Sequence, residues 1–170
     1  MKIGFTASAF DLLHAGHISM LKEAKEHCDY LICGLHVNPR IEREYKNKPI
    51  QSLIERYIQL FGCKYVNEII PYETEQDLCD ILMTFPINIR FIGEEYKDTE
   101  YTGKSICDTR GISIHYNKRD HKFSTTELRH RVENHGKNSI NTECGITVSM
   151  DNVNIEWPKI PENNIIDTYT

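Results

Sequence analysis

Two histidines flank a glycine in the segment Phe10-Asp11-Leu12-Leu13-His14-Ala15-Gly16-His17. Imidazole N–H groups donate well to phosphate oxygens, and a glycine between them lets the backbone pass close to a ligand. The segment follows an apolar run and opens a stretch with helical spacing. His17 therefore stands at a helix N-terminus, where unpaired N–H groups and the helix dipole favour an anion. Taken alone, an H-x-x-H pair also reads as zinc ligands or as two solvated loop histidines. Strand, small loop, glycine and helix start fall in line here, and that order favours phosphate.

A second candidate anion site is Lys118-Arg119-Asp120-His121-Lys122-Phe123-Ser124-Thr125-Thr126-Glu127. Ser124 with Glu127 forms the S-x-x-E pattern of a capping box, which alone would explain that pair. Capping does not account for Thr125, Thr126 and an arginine five residues before the cap. Hydroxyls, free amides and a guanidinium converging on one helix start suit phosphate.

A third group is Arg40, Arg43, Lys46 and Lys48, followed by Glu55-Arg56-Tyr57. Together with Lys118, Arg119, Lys122, Arg129 and Arg131, the two loop windows hold nine of the chain's 20 basic residues. Singly, such charges are ordinary solvated residues. In a chain of net charge −5 their clustering points to a local phosphate site and away from general nucleic-acid affinity.

The elements that must position these groups alternate. Residues 2–6 read as a buried strand, and His17 to Glu26 as a helix carrying Ile18, Leu21 and Ala24 at helical spacing. Asp29 to Val37 reads as a second strand, and Ser52 to Cys63 as a helix. Val66 to Ile70 is a third strand stopped by Pro71, Glu75 to Thr84 a helix, and Ile87 to Gly93 a fourth strand. A polar loop leads to Gly103. Ile112 to Tyr116 is a fifth strand, and Ser124 to Glu133 the last helix. Nearly continuous apolar strands alternating with helices predict an α/β fold, a doubly wound five-stranded parallel sheet. Ligands of such sheets sit beyond the carboxyl ends of the strands, which directs attention to the loops after strands one, two, four and five.

The 170 residues thus divide into a domain over 1–133 and a C-terminal extension over 134–170 with two basic and five acidic side chains. In the extension Ile146, Val148 and Met150, then Val153, Ile155 and Trp157, alternate about Asp151-Asn152, as in a β-hairpin. With 39% apolar and 26% charged residues the chain has the composition of a soluble domain. No apolar run approaches the ~20 residues of a membrane span, and the N-terminus lacks the pattern of a signal peptide. None of Cys28, Cys33, Cys63, Cys79, Cys107 and Cys144 stands at C-x-x-C spacing, so reduced structural thiols in the cytoplasm are expected.

F-D-L-L-H-A-G-H with F-S-T-T after Arg119 resembles the cytidylyltransferase branch of the HxGH nucleotidyltransferase superfamily, with a Rossmann-like domain. The resemblance runs from about Lys2 to Val132 and includes Glu55-Arg56-Tyr57, Tyr65-Val66-Asn67-Glu68-Ile69-Ile70-Pro71 and Ile92-Gly93-Glu94-Glu95-Tyr96. It implies transfer of a cytidylyl group from CTP to a small phosphorylated alcohol, such as glycerol 3-phosphate, another polyol phosphate or phosphoethanolamine. His14, His17, Lys46 and Arg119 would be catalytic. Ala9, Phe10, Asp11, Gly16, Glu94, Ser124, Thr125 and Thr126 would bind the nucleotide, and Arg56, Lys48 and Lys64 the phosphates of the substrate. Mg²⁺ would bind through the nucleotide phosphates, with no metal cage of the protein's own. The family also implies a homodimer. Ser8-Ala9 stands where the family usually has Gly-Thr, Lys122-Phe123 replaces Gly-Ile, and Glu94 replaces a common Asp. An adenylyltransferase acting on a sugar phosphate and a non-catalytic nucleotide-binding module are the alternative readings.

Overall fold

The computed structural model describes residues 1–118 and 123–135. Five strands, β1 (Ile3–Ser8), β2 (Tyr30–His36), β3 (Glu68–Tyr72), β4 (Ile89–Gly93) and β5 (Ser113–Asn117), form one sheet. Its order is β3-β2-β1-β4-β5 and every pairing is parallel. The chain winds outward from β1 to β3, then returns to the other side of β1. The topological switch point therefore lies between β1 and β4.

Helices cover both faces: α1 (Ala15–Glu26), α2 (Leu53–Phe61), α3 (Glu75–Thr84), α4 (Lys104–Arg110) and α5 (Thr125–His135). Strand alternation splits the core in two. Leu31, Cys33, Leu35, Ile89 and Phe91 pack with Leu21, Ala24 and Leu60 on the α1–α2 side. Phe5 and Ile32 pack with Leu78, Ile81, Leu82 and Cys107 on the α3–α4 side. Burying a strand on both faces is why these segments read as apolar runs.

Two expectations are corrected. Pro71 does not stop the third strand, which runs through it to Tyr72. β3 lies at the sheet edge, where a residue without an N–H costs no ladder bond on the open side. The stretch between Gly103 and the fifth strand, to which the sequence assigns no element, forms α4. This helix sits between Gly103 (φ 79°) and Gly111 (φ 67°), both left-handed, and has no side-chain cap at its start. At Gly103 a Cβ would also lie 2.9 Å from the Arg90 Nη1 atom, so only glycine fits.

The proposed hairpin over 146–157, and the rest of the extension beyond His135, lie outside the described residues. No helix among the described residues is long and apolar enough to cross a membrane.

Candidate active site

The carboxyl ends of the strands open into a cavity of about 540 Å³, within the ~300–1,000 Å³ typical of small-molecule sites. Its wall is drawn from the loops after β1, β2, β4 and β5: Ala9 to Asp11 and His14, then Pro39, Arg43 and Lys46, then Glu95, Tyr96, Tyr101 and Thr102, then Lys118 and Phe123 to Thr126.

The loop after β1 is bent by two non-glycine residues in the left-handed region, Phe10 (φ 47°) and Leu12 (φ 50°). Each such residue costs on the order of 1–2 kcal/mol, so the surroundings must hold it. Phe10 is buried in the α1-side core. The Leu12 N–H donates to Gln51 Oε1 at 2.7 Å. Between them the buried Asp11 carboxylate accepts from the N–H groups of Ile50 and Gln51 and from Arg129 Nη2 at 2.6 Å. Burial alone would raise the Asp11 pKa, but the hydrogen bonds from Gln51 and Ile50, with Arg129, outweigh it and hold the carboxyl below its ordinary value. One carboxylate thus ties the β1 loop to the β2–α2 loop and to α5.

That bend delivers His14 to the N-cap of α1, where its Nδ1 accepts the Gly16 N–H at 3.1 Å. Its Nε2 lies 3.2 Å from Thr125 Oγ1, and the Thr125 hydroxyl donates to the Asp11 carbonyl at 3.3 Å. The hydroxyl proton being committed to that carbonyl, His14 donates through Nε2 and is the Nε2–H tautomer. The rings of His14 and His17 stack with centroids 4.0 Å apart, and Phe10 lies 5.5 Å from His17. Ser124 caps α5 by accepting the Glu127 N–H at 3.1 Å. The N-termini of α1 and α5 therefore meet at one mouth, linked by His14 and Thr125. Two helix starts facing one cavity are suited to an anion.

The structure brings His14, His17, Lys46, Ala9, Phe10, Asp11, Gly16, Ser124, Thr125 and Thr126 together around the cavity. Arg119 lies outside the described residues. The remaining expectations are corrected. Arg56 is 2% exposed. It donates to four backbone carbonyls: Gln51 through Nε, Ala9 and His36 through Nη1, and Val37 through Nη2. It clamps the ends of β1 and β2 to α2 and is not on the cavity wall. Lys64 follows α2, before the start of β3, and packs over the Tyr65 ring at the opposite end of the sheet from the cavity. Lys48 is exposed and contributes its carbonyl, which accepts from Arg129, in place of its ammonium group. Glu94 is exposed in a single 3-10 turn, and the neighbouring Gly93, Glu95 and Tyr96 line the cavity instead.

Three cavity residues escaped sequence reasoning. Arg129 was noted only as part of a basic cluster. Arg90, buried on β4, donates to the Thr102 carbonyl at 2.7 Å and faces the Tyr101 ring. Asn117, at the end of β5, is 2% exposed, and neither its amide oxygen nor its amide nitrogen has a partner among the described residues. For Asn117 the usable signal is position, a polar residue at the carboxyl end of an apolar strand; Arg90 near the start of β4 and Arg129 on α5 carry no such signal.

Among the described residues no three His, Cys, Asp or Glu side chains group as a metal site. With the Asp11 oxygens taken, the groups at the helix mouth are imidazoles, hydroxyls, free amides and lysines, which suit an anion.

Comparison with known proteins agrees with this geometry. A cytidylyltransferase-like family model matches residues 5–131. The chain is 29% identical to the ethanolamine-phosphate cytidylyltransferase of Arabidopsis thaliana over 143 residues, covering 79% of this chain and 33% of that protein. It is 30% identical over 115 residues to the bifunctional protein HldE of Granulibacter bethesdensis, covering 67% of this chain and 24% of that one. It thus spans about a quarter to a third of these relatives. Among solved structures, a lipopolysaccharide core biosynthesis protein from Thermoplasma volcanium superposes with a TM-score of 0.59 at 26% identity, over 71% of this chain and 99% of that one.

Proposed function

The chain belongs to the cytidylyltransferase-like family, and from that premise we propose that it transfers the cytidylyl group of CTP to a small phosphomonoester. An oxygen of the phosphomonoester attacks the α-phosphorus, the bond to the β-phosphate breaks, and a CDP-alcohol and pyrophosphate form. The observation that carries this reading is the His14–Thr125 contact, which joins two helix N-termini into one anion site at the mouth of the cavity.

The chemistry suits a site without a nucleophilic side chain. The second pKa of a phosphomonoester is near ~6, so its oxygen is already anionic at neutral pH and needs no general base. In-line positioning is required, together with donors placed where charge develops on the α-phosphate and the departing pyrophosphate. His14 and His17, the amides of α1 and α5, and the hydroxyls of Ser124, Thr125 and Thr126 serve the phosphates. Lys46, from the loop after β2, neutralises charge as the bond to pyrophosphate breaks, and the family resemblance assigns Arg119 the same role. When bound, Mg²⁺ carried on the nucleotide's phosphate oxygens supplies further charge neutralisation.

The acceptor is a small phosphorylated alcohol. Glycerol 3-phosphate, other polyol phosphates and phosphoethanolamine are the candidates, and the name of the Arabidopsis relative supports the last. The basic residues on the cavity wall belong to this substrate pair and not to a nucleic acid. The reading includes a homodimer, supported by Ile54, Ile58 and Phe61, which form a stripe on α2 exposed at 62%, 63% and 75% beside the edge strand β3. It places the enzyme in the cytoplasm, supported by the free thiols of Cys28, Cys33, Cys63, Cys79 and Cys107.

Pyrophosphate release measured for four nucleoside triphosphates against a panel of phosphomonoesters tests the proposal. CTP with one polyol phosphate or with phosphoethanolamine is expected to exceed every other pair. Equal turnover of CTP and ATP with every acceptor would overturn it.

A further inference from the structure

Asn117 presents a side-chain amide to the cavity from the last residue of β5, with both polar atoms buried and, among the described residues, unpartnered. Buried amides are nearly always hydrogen-bonded, and an exception inside a ligand cavity points to the ligand as the missing partner.

The sheet fixes where that partner must be. Asn117 pairs with Gly93 on β4, and Thr6 on β1 pairs with Phe91. Continuing the register, Ser8, Gly93 and Asn117 share one row. Two strand spacings, about 10 Å, then separate Asn117 from the start of the loop that carries His14. Strand alternation puts Asn117 on the same face as His115, whose ring packs on Phe91 and bonds Glu23 of α1. Asn117 therefore faces the cavity on the α1 side, beyond the end of the row that begins at the phosphate-binding loop.

The chemistry of the amide narrows the partner. Phosphate oxygens only accept, and would leave the Asn117 oxygen unpaired. Its partner must both donate and accept, since the amide carries one open acceptor and one open donor. In a nucleotide those properties belong to the nucleoside: an amino group beside a ring nitrogen on the base, or the hydroxyls of the ribose. We infer that Asn117 hydrogen-bonds the nucleoside half of the bound nucleotide and sets nucleotide affinity independently of the phosphate contacts. The inference rests on the proposed nucleotidyl transfer for the identity of the ligand, and deepens it by naming a residue that recognises the non-phosphate part.

Full-length wild type and Asn117→Leu test it, with affinities for CTP and inorganic tripolyphosphate measured by calorimetry and unfolding midpoints measured without ligand. Leucine removes two unpaired polar atoms at similar volume, so the ligand-free variant is expected to unfold at the wild-type temperature or above it. Its CTP affinity is expected to fall about tenfold or more while its tripolyphosphate affinity stays at the wild-type value. Comparing 2′-deoxy-CTP with a pyrimidinone nucleotide lacking the amino group assigns the contact. The wild type discriminates against whichever analogue lacks the group that Asn117 reads, and the variant loses that discrimination. Unchanged CTP affinity in the variant, or a parallel loss of tripolyphosphate affinity, would overturn the inference. A wild type that binds ATP in preference to CTP would overturn the cytidylyl reading alone, and Asn117 would then be judged on ATP. Binding of tripolyphosphate but of no nucleoside triphosphate better than it would overturn the Asn117 role.

Discussion

The imidazole of His14 and the hydroxyl of Thr125 meet at 3.2 Å, joining the start of α1 to the start of α5 across most of the domain's length. The Gly16 N–H on one side and the Asp11 carbonyl on the other fix the donor direction along this chain. The His14 ring is thereby held in one tautomer and one orientation before any ligand arrives.

Thr125→Val keeps the shape of the side chain and removes its hydroxyl. It is expected to lower kcat/KM for nucleotidyl transfer by about 10- to 100-fold, the lower range for losing one positioned donor. Thr125→Ser is expected to restore most of it. Steady-state kinetics of the two variants check this, and equal loss in both would assign Thr125 a packing role.

His17→Ala and Lys46→Ala are each expected to reduce the catalytic rate by more than ~10²-fold with unfolding midpoints near the wild-type value. Single-turnover measurement at saturating nucleotide is the check. Near-normal turnover in either variant removes that residue from the proposed mechanism.

Arg56 is expected to behave as a structural residue. Arg56→Ala leaves the carbonyls of Gln51, Ala9, His36 and Val37 without their donor, at a cost of about 3 kcal/mol or more in urea unfolding. Arg56→Lys is expected to recover little, because an ammonium group cannot span four carbonyls as the guanidinium fork does. A variant of full stability with weakened substrate phosphate binding would contradict this assignment.

Asp11 gives the fold an acid sensitivity of defined sign. Its hydrogen bonds favour the ionised form in the folded chain. Its stabilisation is therefore complete above the ordinary carboxylate pKa of about 3.9 and is lost as pH falls through the lower folded value. Asp11→Asn is expected to cost about 3 kcal/mol near pH 7, since Arg129 loses its buried partner. The gap between variant and wild type, followed by urea unfolding, is expected to close below about pH 4. A pH-independent gap would show that the carboxylate charge contributes nothing.

The sheet and the two helix-start sites were legible in the sequence because their signals are local. Apolar runs mark doubly covered strands, and Ser124 three residues before Glu127 marks a helix start. α4 was not legible, because its capping residue is Gly103, which has no side-chain oxygen to recognise. Arg56 was misassigned for a different reason. Its charge is visible in one dimension, but the carbonyls that surround it come from β1, β2 and the α2 entry and converge only in three. Lys64, which the resemblance implies as a phosphate ligand, follows α2 and lies at the opposite end of the sheet from the cavity, a distinction that a motif match does not carry. Asn117 failed to register because the fifth strand was ended one residue too early.

The central claim is that the two linked helix starts hold a triphosphate whose α-phosphorus is passed to a phosphomonoester. Following CTP labelled at the α-phosphorus, with glycerol 3-phosphate or phosphoethanolamine present, tests it directly. The label is expected to appear in a CDP-alcohol in step with pyrophosphate release, and His17→Ala is expected to abolish both. Label remaining in CTP with every acceptor, or passing only to CMP, would contradict the account.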